Sequence, residues 1–300
     1  MLQKNIVQVY KPPNQWRSAP IGVGDYLRGA CYLVDVAQKH GLRVRFDVSA
    51  TEFSKYIAQD PRYFSKSDPS RLAEAPEYFK KVVPTELFAK IDDLVAADGV
   101  QDLLVCTNLG AWQRAWLTDE ARSLTSHFFD FIPRIHEANL AVLGEAPYTV
   151  LSVRCGDSFF NSAEEEIASA HKALLFRTIE ERILVSAAHP ILVTSDSLLL
   201  KRELGNRYGV LYLDHVPQHG AFGGSVEPVV RDLDLLKHSS FNYFINAGYD
   251  WWSGFSHYTS MIFGIPDLNI APVRLPRPPK QRWWHLGFLP GGRATKPAKR

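Results

Sequence analysis

The sequence has little cysteine, little net charge and no long apolar run, and each shortage excludes a class of protein. Its three cysteines, Cys31, Cys106 and Cys155, are too few and too scattered among 300 residues for a disulfide framework. No Cys-x-x-Cys pair or histidine–cysteine cluster has the spacing of a zinc site. A net charge of +2 is too small to indicate a nucleic-acid partner, so we expect none.

Apolar segments long enough for a membrane are also missing. No segment approaches the roughly 20 apolar residues of a transmembrane helix. The opening MLQKNIVQVYKPP lacks the apolar run of a signal peptide. We therefore expect no membrane span and a cytoplasmic location. The final stretch, 277–300, contains no acidic residue. Its Arg282, Trp283 and Trp284 could cover a ligand cleft or contact an anionic partner, and we expect them instead to pack on the core.

The chain does contain a repeated alternation of strand and helix patterns. Its 46% hydrophobic and 22% charged residues are ordinary for a soluble protein, and 300 residues predict two domains of about 150. The first unit predicts a strand at 5–10, a helix with helically spaced apolar residues at 26–37, and a strand at 42–48. We place the helix N-cap at Asp25 and a left-handed C-terminal residue at Gly41.

The rest of the chain predicts a parallel, doubly wound sheet. A strand at 102–109 and a helix at 118–140, interrupted or kinked near Pro133, precede a boundary at 144–147. Apolar strands separated by helices then follow, which is typical of α/β folds. We expect strands at 148–153, 191–195, 210–213 and 242–247, with helices at 163–187, 198–208, 227–239 and 256–264. The predicted domains are 1–145 and 146–300, both Rossmann-like.

Ligands of open α/β sheets bind beyond the carboxyl ends of the strands, and polar residues gather at those positions here. In IGVGD, Gly22 and Gly24 let a backbone or a phosphate approach, and Arg28 follows. A tight strand-to-helix turn would use the same glycines. Leu27 occupies the third glycine position of a dinucleotide fingerprint, which disfavours an oxidoreductase.

A second polar group follows the strand at 148–153. Arg154 offers a planar fork that fits phosphate oxygens, and Gly156 permits an unusual turn. Asp157 could hold the arginine. The alternative is an Arg–Asp pair on the surface of a loop.

Two serine-rich stretches open later helices. In TSDS, Ser195 and Ser197 supply hydroxyl groups, while Asp196 could cap the helix or bind a polar base edge. In GYDWWSGFSHYTS, Ser253 and Ser256 could bind phosphate beside aromatic residues suited to stacking, or the aromatics could form core.

Two further chemistries are disfavoured. Asp232 and Asp234 form an Asp-x-Asp pair of the type that holds a metal ion, but they lie inside a predicted helix and cannot easily face one ion. We therefore predict no metal in the site. No G-x-S-x-G elbow exists, so a hydrolase with that nucleophile is excluded.

Four stretches together resemble the fucosyltransferase-like GT-B glycosyltransferases, including nodulation-type α1,6-fucosyltransferases and protein O-fucosyltransferases. GVGDYLRGACYLVDVAQKHGLRVRFD is similar to their N-terminal glycine turn and helix. SVRCGD resembles their H-x-R-x-G-D motif, and TSDS their [ST]-D-[NS] element. The third motif, an Asp-led helix, a strand and Ser-x-x-Ser, resembles the segment 231–264, and all four stretches occur in the family order.

The resemblance implies two Rossmann-like domains facing across a cleft, and inverting, metal-independent transfer of a sugar, usually from GDP-fucose, to a glycan or other hydroxyl acceptor. No cofactor other than this co-substrate is implied. Carried over by position, Arg154 would clamp the donor β-phosphate and Asp232 would read guanine. The remaining implied positions are Ser195, Asp196, Ser197, Ser253 and Ser256 around diphosphate and ribose, and Gly22, Gly24, Asp25 and Arg28 across the cleft.

Two positions depart from the family pattern. Ser152 stands where the motif has histidine, and the aromatic stretch AGYDWW separates the last strand from its serines. Loss of that histidine keeps a second hypothesis open, a non-catalytic nucleotide- or glycan-binding protein. For an enzyme, Asp25, Asp157 and His219 are the candidate general bases.

Overall fold

The computed structural model describes residues 4–10, 22–66, 89, 91–93, 95–96, 102–107, 117–156, 169–187, 190–216, 225–247 and 253–270. The first sheet lies in the N-terminal half and contains three parallel strands in the order β2-β1-β3. They are β1 (Asn5–Val9), β2 (Arg43–Asp47) and β3 (Asp102–Val105). The helix α1 (Val23–Lys39) connects β1 to β2, as the sequence predicts.

The second sheet contains five parallel strands in the order β6-β5-β4-β7-β8. Its strands are β4 (Thr149–Arg154), β5 (Ile191–Ser195), β6 (Leu211–Tyr212), β7 (Phe241–Asn246) and β8 (Asp267–Ile270). Four of them match predicted strands, and β8 was not predicted. β4 lies at the centre, so the loop that follows it emerges in the middle of the sheet edge.

The other helices surround these sheets. They are α2 (Asp119–Ser126), α3 (Pro133–Leu143), α4 (Ser169–Ile179), α5 (Leu198–Tyr208), α6 (Glu227–Lys237) and α7 (Gly254–Phe263). A π-helical turn, Glu180–Leu184, continues α4. Within the ranges that the structure describes, none of the helices is long and apolar enough to cross a membrane.

The interruption predicted near Pro133 is confirmed, and one capping prediction was wrong. The expected helix at 118–140 is two helices, because Pro133 begins α3 at its first turn. Asp25 lies in the first turn of α1, and Gly22 occupies the N-cap position. The left-handed residue predicted after α1 is confirmed, since Gly41 has φ 65°.

The buried core of the first sheet extends into the second half of the chain. Ile6 of β1 and Leu27 of α1 belong to one apolar cluster with Val230 of α6 and with Tyr258 and Met261 of α7. The opposite face of the second sheet packs separately, against α4 and α5. The helices α6 and α7 therefore lie where the two sheets come together, and α7 packs against α1.

Candidate functional site at the carboxyl edge of the second sheet

The central strand β4 changes character along one of its faces. Alternate residues of a strand share a face, so Val150, Ser152 and Arg154 lie on one side of the sheet. Val150 is in a buried apolar cluster with residues of α6, while Leu151 and Val153 on the other face pack against α4 and α5. On the first face, the side chains therefore change from apolar (Val150) to hydroxyl (Ser152) to cationic (Arg154) toward the carboxyl edge of the sheet.

The Ser152 hydroxyl group forms hydrogen bonds with side chains of the two adjacent strands. Its hydroxyl lies 3.0 Å from the Thr194 hydroxyl and donates to Asn242 Oδ1 at 3.4 Å. The Asn242 amide in turn donates to Ser260 Oγ of α7 at 3.0 Å. All four side chains are buried. The position where the family motif has histidine is therefore part of a hydrogen-bond network between β4, β5, β7 and α7.

Arg154 is oriented by Asp196, which follows β5. The Arg154 guanidinium forms an ion pair with Asp196 and also donates to Gly156 O at 3.2 Å. The Asp196 carboxylate additionally accepts from Cys155 N at 2.7 Å and from Gly156 N at 2.8 Å. Gly156 has φ 141°, which confirms the unusual turn predicted there. One carboxylate thus fixes both the arginine and the loop that carries it.

The two partners of the Arg154–Asp196 ion pair differ in how exposed their side chains are. The Asp196 side chain is 2% exposed and the Arg154 side chain is 25% exposed, so the carboxylate faces inward while the guanidinium reaches the sheet edge. Asp157, the partner suggested by the sequence, lies outside the described residues. The neighbouring Cys155 is buried, and burial together with the Asp196 charge raises the pKa of its thiol well above the ordinary value. That thiol is therefore unsuited to nucleophilic chemistry.

The residues of TSDS bond to β4 and the loop after it, to one another and to the start of α5. Ser197 is the N-cap of α5 and accepts from Leu200 N at 3.2 Å, so the suggestion that Asp196 caps this helix was wrong. Ser195 Oγ accepts from Ser197 N at 3.1 Å and lies 3.7 Å from Cys155 Sγ. All of these side chains are buried. The residues at the start of α5 therefore hold the loop after β4 in position.

The N-terminus of α7 is constructed differently. Ser253 is its N-cap residue but makes no side-chain hydrogen bond to its own helix, and it is partly exposed. Ser256, in the first turn, is buried. Because the four amides of a first helical turn lack partners within the helix, this terminus favours an anion.

The predicted glycine turn of the N-terminal half meets this same helix. A Cβ placed on Gly24 would lie 2.3 Å from Phe255 N and 2.5 Å from Gly254 C. The absence of a side chain therefore lets α1 and α7 touch along their backbones, a packing role that needs no ligand. This contact also brings Gly22 and the first turn of α1 next to the start of α7.

The charged residues of this turn form a pair. Arg28 Nη2 lies 2.7 Å from Asp25 Oδ1, with side chains 15% and 41% exposed respectively. Gly22, Gly24, Asp25 and Arg28 thus lie in the first two turns of α1 or directly before them, and α1 contacts α7 through Gly24 at the position directly after the α7 N-cap Ser253.

Asp232 lies on the side of α6 that faces the end of β6. Its Oδ1 is 3.5 Å from His215 Nε2, and its side chain is 15% exposed. Lys201 holds the same loop, since its Nζ donates to Leu213 O at 2.8 Å and to His215 O at 3.0 Å. Lys201 is 1% exposed, and burial lowers its pKa, opposed by the charges of Asp232 and Asp214. His219, the other sequence candidate in this loop, lies outside the described residues.

Sequence reasoning missed Lys201 at this edge and did not predict the partners of Asp196. Lys201 sits in a helix where a lysine normally indicates a solvated face, and no local signal shows that its ammonium is buried against two carbonyl groups. Asp196 was considered as a cap or a base ligand, yet its three partners belong to the loop after β4. Both residues position the loops that a ligand at this edge would contact.

No protein-family model and no curated protein sequence matches the chain. Solved structures do match. The fucosyltransferase NodZ from Bradyrhizobium aligns with a TM-score of 0.50 at 16% identity, over 86% of this chain and 92% of that one. A variant of FUT1 from Arabidopsis thaliana, solved in complex with GDP, aligns with a TM-score of 0.52 at 11% identity, over 89% of this chain and 70% of that one.

At identities this low, the alignments show a similar fold and no more than that. The shared fold extends over most of the chain. The parallel α/β architecture expected from the four sequence stretches is confirmed. This chain has the fucosyltransferase-like GT-B fold.

Proposed function

We propose that this chain is a glycosyltransferase that binds the diphosphate of a nucleotide sugar at the carboxyl edge of its second sheet. The observation that carries the proposal is Arg154, a guanidinium at the end of the central strand, held in one orientation by the buried Asp196. Its backbone is tied to the next strand, since Ala247 N donates to Arg154 O at 2.7 Å, and the chain leads from there to the start of α7.

The donor we propose is GDP-fucose. The aligned NodZ and FUT1 proteins are a fucosyltransferase and a protein solved with GDP, respectively. Asp232 supports a guanine base, because a carboxylate oxygen accepts hydrogen bonds from the donors on that base's edge. The pair formed by Asp232 and His215, and the loop held by Lys201, would form the base end of the site.

The reaction we propose is direct displacement at the anomeric carbon with inversion. The acceptor hydroxyl oxygen forms a bond to that carbon while the bond from carbon to the β-phosphate oxygen breaks, and the electron pair leaves with GDP. Arg154 would stabilise the departing charge through bidentate contacts, together with the amides at the start of α7. These protein groups would fill the role that a metal ion fills in other transferases.

Residues of the N-terminal half would serve the acceptor side. Asp25 is 41% exposed at the α1–α7 contact and is paired with Arg28, so it can accept the proton of an acceptor hydroxyl group. Asp157 and His219 remain alternative bases. We propose that Gly22 and Gly24 act through the close approach of α1 to α7, which sets the distance between the two sides of the site.

A thermal-shift screen with GDP, UDP, ADP, NAD and the corresponding sugars tests the proposal. We expect GDP and GDP-fucose to raise the unfolding midpoint by mass action. The effect should disappear in Arg154→Ala and remain in Arg207→Ala, a matched control whose guanidinium pairs with Glu180 at 2.9 Å at the other end of α5. Stabilisation by NAD and not by GDP would contradict the proposal.

The second candidate is a non-catalytic nucleotide-binding protein. It is favoured by Ser152, whose hydroxyl is engaged by Thr194 and Asn242 at the position where the family has histidine. Release of GDP from GDP-fucose, with water or a panel of glycans as acceptor, separates the two. Turnover supports the transferase, whereas tight GDP binding with no release of GDP supports the binding protein.

A further inference from the structure

A cluster of two imidazoles and one carboxylate joins α3 to α6, away from the edge described above. His136 belongs to α3, and Asp234 and His238 belong to α6 and the position directly after it. His136 Nδ1 lies 3.1 Å from Asp234 Oδ2, and His238 Nε2 lies 3.4 Å from Asp234 Oδ1. One ligand atom from each of the three side chains lies within 4.8 Å of the others.

The carboxylate in this cluster is held rigidly. Asn139 Nδ2 donates to Asp234 Oδ2 at 2.9 Å, and Arg231 Nε donates to Asn139 Oδ1 at 2.9 Å. Asn139 and Asp234 are both buried. A buried carboxylate oriented by a buried amide is the outer support that metal ligands require.

The imidazoles remain accessible while the carboxylate does not. The His136 and His238 side chains are 42% and 40% exposed, and that of Asp234 is 3% exposed. Their rings lie 4.3 Å apart, centroid to centroid. The cluster is thus buried on the side of the carboxylate and open on the side of the imidazoles, where solvent can supply a further ligand.

The spacing suits a small tetrahedral ion. With bonds of about 2.0–2.2 Å, two ligand atoms of a tetrahedral Zn²⁺ site lie roughly 3.4 Å apart. His136 Nδ1 lies 3.1 Å from Asp234 Oδ2 and His238 Nε2 lies 3.4 Å from Oδ1, so each imidazole is at about this spacing from one oxygen of the carboxylate. Imidazole nitrogen favours Zn²⁺ over Mg²⁺ or Ca²⁺, which take oxygen ligands.

We propose that His136, Asp234 and His238 bind one Zn²⁺ ion, with water as the fourth ligand. The site is separate from the proposed donor site, because Asp232, two positions earlier in α6, contacts His215 on another side of the helix. The ion links α3, which leads into β4, to α6, and so stabilises the folded chain without taking part in the transfer reaction.

Calorimetric titration of the full chain, first treated with a chelator, tests the proposal. We expect one equivalent of Zn²⁺ to bind at pH 7.5, and His136→Gln and His238→Gln each to weaken binding at least about 100-fold, beyond the loss typical of an outer-shell change. His40→Gln is the matched control, since His40 is a partly buried helix-end histidine 3.8 Å from Asp92. It should bind Zn²⁺ like the wild type.

Two further measurements distinguish loss of metal binding from loss of folding and identify the geometry of the site. Both glutamine variants should still unfold cooperatively above the temperature of the titration when metal-free, so that lost binding is not lost folding. Co²⁺ should give the intense visible absorption of a tetrahedral site in the wild type and in His40→Gln, and not in His238→Gln. The proposal is overturned if Zn²⁺ does not bind the wild type at micromolar concentration, if His238→Gln binds it equally well, or if Mg²⁺ competes at equal concentration.

Discussion

Two helices of the second sheet begin with similar residues and are built in opposite ways. At the start of α5, Ser197 caps its own helix and Ser195 bonds to the backbone beside it. At the start of α7, Ser253 makes no capping bond to its own helix and is partly exposed. The same residue type thus organises a loop at one helix and can meet a ligand at the other.

The charged residues beside the two helices also differ in exposure. Asp196 is directed inward and holds Arg154 in place, whereas Asp25 is largely accessible beside α7. Resemblance to a family motif assigns all of these residues to a ligand. Their hydrogen bonds divide them into residues that position others and residues that can contact a ligand.

The largest effect is expected for the inward carboxylate. Asp196→Ala removes the partner of Arg154, Cys155 N and Gly156 N. Losing the ion pair and both backbone bonds of a buried carboxylate costs about 3–5 kcal/mol, so urea denaturation should show a large loss of stability together with loss of GDP binding. Asp214→Ala, which breaks the exposed pair with Arg202, is the control and should change stability by less than about 1 kcal/mol. Equal effects of the two changes would remove the distinction between a positioning and a surface carboxylate.

A smaller effect is expected where α1 and α7 touch. Gly24→Ala puts a methyl group 2.3 Å from Phe255 N, and the resulting overpacking should cost about 1–3 kcal/mol. Gly254→Ala meets its nearest backbone atom at 3.1 Å and should cost less. Chemical denaturation of both variants measures the difference. If Gly24→Ala stabilises the chain, as helix propensity alone would predict, the close contact is wrong.

The smallest effects are expected for the serines at the two helix starts, and they differ between the helices. Ser197→Ala should lower stability by about 1 kcal/mol through loss of the cap, with unchanged GDP affinity per folded molecule. Ser253→Ala should leave stability within a few tenths of a kcal/mol and weaken GDP binding about tenfold, the effect of one hydrogen bond to a charged group. Thermal unfolding and calorimetry of the two variants give both values. The opposite pattern would mean that the roles of the two helices are exchanged.

The sequence predicts much of the fold because its strands are short apolar runs with helices between them. The predicted strand at 191–195 coincides with β5, and the parallel order follows from the alternation. It does not predict β8, whose four residues include an exposed Leu268 and show too little pattern to distinguish them from a loop.

The site is less predictable, because its key contacts join residues that are distant in the chain. Asp196 reaches Arg154 across 42 positions and His136 reaches Asp234 across 98. Residue types and strand ends indicate which loops meet at the edge of the sheet. They do not indicate which carboxylate turns inward, since that depends on side-chain packing between separate strands and helices.

The central claim is that Arg154 contacts the β-phosphate of a nucleoside diphosphate. Calorimetric titration of GDP and GMP into the wild type and into Arg154→Lys tests it most directly, because GMP lacks that phosphate and lysine lacks the planar fork. We expect the wild type to bind GDP more tightly than GMP and Arg154→Lys to lose most of this preference. An undiminished preference for GDP in Arg154→Lys would contradict the claim.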